Sequence, residues 1–295
     1  MIQPLGIGFP YIASLPAELY RSGLLNFVEV TPETVCRQHA IGGKVAISIV
    51  PEQLDIARET CAGLPITVHG VELSIGSAQG WNSAYIDMLD EFQGKWPFLW
   101  HSEHLGFQTI PGEDGKTLEV GVPLPVPPTK EAVDIIGDRS AEICKRYGVP
   151  FLLENPAYYI ADLPADPEIC DDMGLIDAIM KRSGCYLLLD LHNVYCNALN
   201  HRRDPFGILD TAPLDRVAEI HVAGGASHDG YWMDGHNGPV PEPVWEMLEY
   251  TLLRAPNVGG VVYEVLDEVA ESLGAEAISR ELERAGDMWS RCRQG

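Results

Sequence analysis

Short apolar runs alternate with longer amphipathic stretches along the chain. Eight short runs read as buried parallel strands, because a strand covered on both faces is apolar throughout rather than alternating. They are residues 5–9 (LGIGF), 26–30 (NFVEV), 65–69 (PITVH), 97–101 (PFLWH), 150–154 (PFLLE), 185–190 (CYLLLD), 218–222 (AEIHV) and 260–264 (GVVYE). A ninth run, residues 44–50 (KVAISIV), does not fit the count and is read as a loop segment or an extra strand. The clearest helix spans residues 129–147, where Ala132, Val133, Ile135, Ile136, Ile143 and Cys144 form one apolar stripe. Thr129 is placed to cap its first turn, and Gly148 to end it in a left-handed conformation. A second helix is predicted over residues 266–291.

Strand and helix repeated about eight times imply parallel strands joined by right-handed crossovers. Closure into a (β/α)8 TIM barrel, one α/β domain over residues 1–295, is the expected architecture. An open doubly wound sheet is the alternative, but no GxGxxG follows the first strand.

Composition narrows the partners. The chain carries 20 Lys and Arg against 43 Asp and Glu, a net charge of -23. That is the opposite of a nucleic-acid footprint, so no nucleic-acid partner is expected. The acidity reads either as a solvated surface or as attraction for a basic peptide or metal cations. Seven cysteines (36, 61, 144, 170, 185, 196 and 292) are widely spaced with no CxxC, which argues against a disulfide framework and for a reducing cytoplasm. No signal peptide and no run of 18 apolar residues is present, so neither secretion nor a membrane partner is expected.

The candidate chemistry lies where the strands end. His69 closes the third run; His101, Glu103 and His104 follow the fourth; Glu154-Asn155 closes the fifth. Asp190 closes the sixth and is followed by His192 and Asn193; the seventh carries His221; Asp234 and His236 lie in the next loop; Glu264 closes the eighth. In such a barrel the carboxyl ends of the strands share one mouth. Buried carboxylates there need partners, and divalent cations can neutralise several together. Imidazole with carboxylate suits iron, zinc or manganese, and the absence of Cys from the strand ends argues against an iron–sulfur cluster. Singly, each residue reads as well as a hydrogen-bonded core group, an ion pair or a helix cap; the joint pattern points to metal. His39, His201 and His228 are expected on the surface or in loops. The Gly-rich segment AGGASHDGYWMDGHNGP is either an ordinary surface loop or a lid that brings Tyr231 and Trp232 over a substrate.

The motifs VHGVELSIGS, SEHLGF, LLENPAYYI, LLLDLHNVYCNA, IHVAGG, DGHNGPV and VYEV resemble, in order and spacing, the multinuclear non-heme iron-dependent oxidases, a family that includes the iron oxidase of methanobactin biosynthesis. The resemblance runs from Gly6 to about Glu264. It implies a xylose-isomerase-like barrel with two or three iron ions. It also implies O2-dependent modification of a cysteine, or of a neighbouring residue, in a ribosomally made precursor peptide. The family's ligands fall on His69, His104, Glu154, Asp190, Asn193, His221, Asp234, His236 and Glu264. By the same resemblance Glu154 bridges an ion held by His69 and His104 to a second held by Asp190, His221 and Glu264. A third ion takes Asn193, Asp234 and His236. The family often has Asn at the position of His192, so this residue either adds a ligand or supports one. His101, at a position usually apolar, is left out of the ligand set. His192, Glu103 and Tyr231 are the candidate catalytic residues. Members commonly act beside a partner protein that recognises the precursor leader, and a leader-binding partner is expected here.

Three other readings remain open at this point. Zinc on the same ligands suits phosphodiester hydrolysis by activated water, although the charge disfavours DNA. A sugar isomerase needs a Lys near the ions, and the ligand motifs contain none. A barrel that only binds a partner has no use for so many ligands, since a structural zinc takes four.

Overall fold

The structure, a computed structural model, describes residues 2–41, 44–111, 117–160, 163–169 and 171–293. Eight parallel strands close into a barrel: β1 (Gly6–Pro10), β2 (Phe27–Val30), β3 (Ile66–Gly70), β4 (His101–His104), β5 (Phe151–Glu154), β6 (Tyr186–Asp190), β7 (Val217–Ala223) and β8 (Gly260–Glu264). Each strand pairs with its neighbours in chain order, and β8 pairs with β1, so no edge is left open. The ninth run is a strand, Lys44–Ile49, but it pairs antiparallel with Cys36–Ile41 outside the barrel. Two further hairpins lie outside the barrel: Gly106–Pro111 with Thr117–Pro125, and Ala226–His228 with Tyr231–Met233.

Two expected boundaries differ. The fourth strand begins at His101, where the sequence expectation ended it. The preceding run already bonds to β3, with Leu99 N–H donating to the Ile66 carbonyl and the Trp100 carbonyl accepting from Val68 N–H; Trp100 helps plug the barrel floor, and Phe98 joins the core. The second expected helix is two, Asp267–Leu273 and Ala275–Arg293, divided at Gly274. Gly274 sits at φ 77° and ψ 151°, a region open in practice only to glycine. The Lys130–Tyr147 helix follows its expectation. Thr129 accepts from Ala132 N–H, and Gly148 takes φ 66°.

The barrel interior is layered by strand periodicity, because residues two apart face the same way. Phe27, Trp100, Leu152, Leu188 and Val262 form an apolar floor. Two positions further along the same strands stand Glu29, Ser102, Glu154, Asp190 and Glu264. The floor therefore supports a polar layer directly above it, at the carboxyl ends of the strands.

Candidate metal centre

That polar layer brings most of the expected ligands together. His69, His104 and Glu154 offer donor atoms within 4.8 Å of one another; so do Glu154, Asp190 and His221; so do Asp190, His236 and Glu264; so do His192, Asp234 and His236. The groups overlap at Glu154, then Asp190, then His236, and make one continuous array.

Each imidazole is held by groups outside the array. Ser102 Oγ donates to the Val68 carbonyl and so accepts from His69 Nδ1–H at 2.9 Å, leaving Nε2 towards Glu154. His104 Nδ1–H donates to the Gly70 carbonyl at 3.2 Å and likewise presents Nε2. The two Nε2 atoms stand 3.2 and 3.3 Å from the same oxygen, Glu154 Oε2. Asn193 Nδ2 donates to Glu154 Oε1 at 3.2 Å and to the Asn155 carbonyl, while its own Oδ1 stays without a partner. Asp190 caps the helix Leu191–His201 by accepting from Asn193 N–H at 2.6 Å, and Asn155 brackets the Asp190 backbone through two bonds of 2.9 Å. Glu264 spans two histidines, with Oε2 2.9 Å from His221 Nδ1 and Oε1 3.4 Å from His236 Nδ1.

His192 is fixed by chemistry as well as distance. An indole N–H only donates, so Trp232 Nε1–H donates to His192 Nε2 at 3.0 Å. His192 Nδ1 then carries the proton and donates to Asp234 Oδ1 at 2.9 Å. Both nitrogens are occupied, and the ring braces Asp234. Gly225 makes room for it, since a Cβ there would stand 2.6 Å from His192 Nε2. Asn200 clamps the Trp232 backbone with two bonds of 2.9 and 2.8 Å, anchoring the Tyr231–Met233 strand.

The electrostatics call for cations. Burial raises the Asp190 pKa well above the usual carboxylate value, and the neighbouring Glu154 and Asp234 carboxylates add to it. Burial also opposes ionisation of Glu154, but His104 and His69 outweigh it and hold that carboxyl low. His69 runs the other way: burial disfavours its charge, yet Glu154 raises it to about 10. Carboxylates similarly raise His221 and His236 against their burial. Buried polar atoms are normally hydrogen-bonded. Here His69 Nε2, Glu154 Oε2, Asp190 Oδ2, Asn193 Oδ1 and His236 Nε2 are buried with no hydrogen bond of normal geometry. Where no proton occupies them, these nitrogen and oxygen atoms fit divalent ions of the iron, zinc or manganese type.

The remaining expected residues lie elsewhere. Glu103 is outside the array; its carboxylate meets His101 Nε2 at 2.7 Å, and His101 packs among Phe98, Tyr147 and Phe151. Tyr231 is exposed and contacts Tyr159 edge-on, so Trp232 is the hairpin residue that reaches the array. His39 and His228 are exposed, and His201 stacks on Tyr158. The six described cysteines are free; Cys170 lies outside the described residues. Sequence reasoning missed Glu29, buried on β2, and Glu219, buried on β7. Each interrupts an apolar run with a carboxylate, which was the available signal. A cavity of about 510 Å³ is lined in part by Leu105 and Pro156, the residues that follow His104 and Asn155, and by Tyr158 and His201.

Residues 5–288 match the family described as "RiPP precursor modification enzyme MbnB/TglH/ChrH". The chain belongs to this family. A "UPF0276 protein" of Caulobacter vibrioides is 32% identical over 275 residues, covering 92% of this chain and 89% of that one. Another, of Rhizorhabdus wittichii, is 32% identical over 234 residues, covering 78% and 81%. Among solved structures the chain is similar to a putative xylose isomerase from Rhodospirillum rubrum (TM-score 0.59, 13% identity, 95% and 98% covered). It is also similar to the IOLI protein with a bound zinc atom (TM-score 0.58, 14% identity, 98% and 99% covered). At that identity these two show the fold: a xylose-isomerase-like TIM barrel. Family and fold make this chain a precursor-peptide modification enzyme with several metal-capable clusters. Among the described residues no helix is long and apolar enough to cross a membrane.

Proposed function

We propose that the chain is an O2-dependent oxidase that holds two or three iron ions and modifies a cysteine, or a residue beside one, in a ribosomally made precursor peptide. The observation that supports this most is the continuous array of donor groups with unused buried lone pairs. His69, His104, Glu154, Asp190, Asn193, His221, Asp234, His236 and Glu264 are the proposed ligands, with Glu154 between the first two positions. Ferrous ions bound there would supply electrons and open coordination positions for a thiolate and O2.

The chain's own residues orient and shield. Ser102 and the Gly70 carbonyl keep two Nε2 lone pairs facing Glu154. His192 keeps Asp234 in place, and the Trp232 hairpin covers that end of the array. The cavity lined by Leu105, Pro156 and Tyr158 is within the size range of ligand pockets and is the proposed place for the peptide. A separate partner protein recognises the leader.

The test is anaerobic reconstitution with Fe(II), followed by O2 and a cysteine-containing precursor peptide. The expected result is O2 uptake with a change in peptide mass, both lost in His221→Ala. Uptake by the native chain no greater than that of His221→Ala would sink the reading. Tightly bound zinc without iron would favour hydrolysis instead.

A further inference from the structure

Glu29 is the acidic residue of β2 and is 2% exposed. It stands in the same layer as Glu154, Asp190 and Glu264, yet it shares no donor group with any of them. Its contact is with His221: Glu29 Oε2 lies 3.2 Å from His221 Nε2. The other nitrogen, Nδ1, lies 2.9 Å from Glu264 Oε2 and faces the array. Beneath them, Glu219 is fully buried, accepts from Trp100 Nε1–H at 2.8 Å, and groups with Glu29 and His221. A chain of contacts thus runs from the apolar floor through Trp100, Glu219 and Glu29 to His221.

We propose that Glu29 is a positioning residue that sets which nitrogen His221 offers to the metal centre. The inference rests on the metal-dependent reading above. The single N–H of a neutral imidazole can sit on either nitrogen, and moving it exchanges which of Nδ1 and Nε2 carries the lone pair. A carboxylate on one nitrogen prevents the exchange, because it accepts an N–H and repels a lone pair. It also makes the opposite lone pair more basic, and removing such an outer partner typically costs roughly 10–100-fold in metal affinity. Glu29 does this from inside the barrel, on the floor side of His221. From there it leaves the mouth free for substrate. Two features make it more than a packed side chain. Glu29 sits directly above the apolar floor, where a buried carboxylate is costly unless an N–H donates to it. The neighbouring Glu219 is itself held by Trp100, and a second carboxylate beside Glu29 adds to the preference for an N–H over a lone pair on His221 Nε2.

Three proteins test the proposal as full-length chains: native, Glu29→Gln and Glu29→Leu. The Gln side chain keeps an oxygen that accepts the same N–H; Leu does not. Anaerobic Fe(II) titration, without peptide, reads the affinity of each ion. Glu29→Leu is expected to weaken one ion by about 10–100-fold and leave the others bound. Glu29→Gln is expected to stay within a few-fold of native. Equal binding by native and Glu29→Leu, or equal losses in both variants, overturns the proposal. A measurement on the native chain stands whether or not Glu29→Leu folds. In the Zn(II)-loaded protein, ¹⁵N NMR of His221 is expected to show a protonated Nε2 and a metal-bound Nδ1; the reverse overturns the proposal. A native chain that binds no Fe(II) at all takes down the functional reading and this one with it. Native binding with an unaffected Glu29→Leu takes down this one alone.

Discussion

A single hydrogen atom decides what His192 does. Because Trp232 can only donate, His192 Nε2 must accept, and the proton on Nδ1 points at Asp234. Replacing Trp232 by Phe keeps most of the buried area and removes only that donor. The freed ring then competes for two orientations, and Asp234 loses its brace. We expect Trp232→Phe to melt within about 2–3 °C of native, since its loss is near one neutral hydrogen bond. We also expect it to retain less Fe(II) after dialysis, with the affected ion bound roughly tenfold more weakly or worse. Unchanged metal content by elemental analysis would show that His192 does not act through Asp234. Asn has a shorter reach than His, so the His192→Asn variant is the natural companion measurement.

At the scale of elements, short connections after the strands hold the mouth in shape. The turn Pro32–Val35 follows β2 and carries Glu33, whose Oε1 accepts from the Val71 and Glu72 N–H groups just beyond β3. This carboxyl staples two neighbouring strand ends. Its Oε2 is buried without a partner. Burial, helped by the nearby Glu103 and opposed by the two N–H donors, lifts its pKa to about 7. The folded state therefore holds this proton more tightly than the unfolded state, whose value is near 4.5. The stabilisation is complete below about pH 4.5 and is lost as pH rises through 7. Glu33→Gln keeps the accepting oxygen and cannot ionise. We expect the native chain to lose stability relative to Glu33→Gln between pH 5 and 8, read as the difference in urea midpoint. Parallel midpoint curves across that range would show that Glu33 does not titrate there.

For the whole molecule, the same array that suits chemistry burdens the empty fold. Buried carboxylates and imidazoles in the barrel mouth must share protons or repel, and the chain already carries a net charge of -23. Ions that bind the folded barrel and not the unfolded chain shift the balance by mass action, about 2.7 kcal/mol at a free concentration 100-fold above Kd. We expect chelator-treated protein to melt several degrees below Fe(II)-loaded protein, with the gap widening as free metal rises. Identical melting curves would mean that the array takes up no metal. High salt is expected to change this gap little, because buried pairs are screened less than surface ones.

Much of this was legible along the chain, because it depends on local pattern. Buried parallel strands are apolar throughout, and a candidate ligand at the carboxyl end of such a run shows as a polar residue closing it. His69, Glu154, Asp190 and Glu264 announce themselves in that way. Cap residues did the same for the Lys130–Tyr147 helix. The fourth strand was displaced because an apolar run shows burial without marking how far along it the regular ladder begins and ends. What only the tertiary structure decided are relations across the barrel. Glu29 and His221 are 192 residues apart, and they meet because the closed sheet brings β2 and β7, with β1 and β8 between them, around one narrow interior. The partner of each imidazole nitrogen depends on strand register and on where a hairpin anchors. Both are settled by closure and packing, which have no local signature in the order of residues.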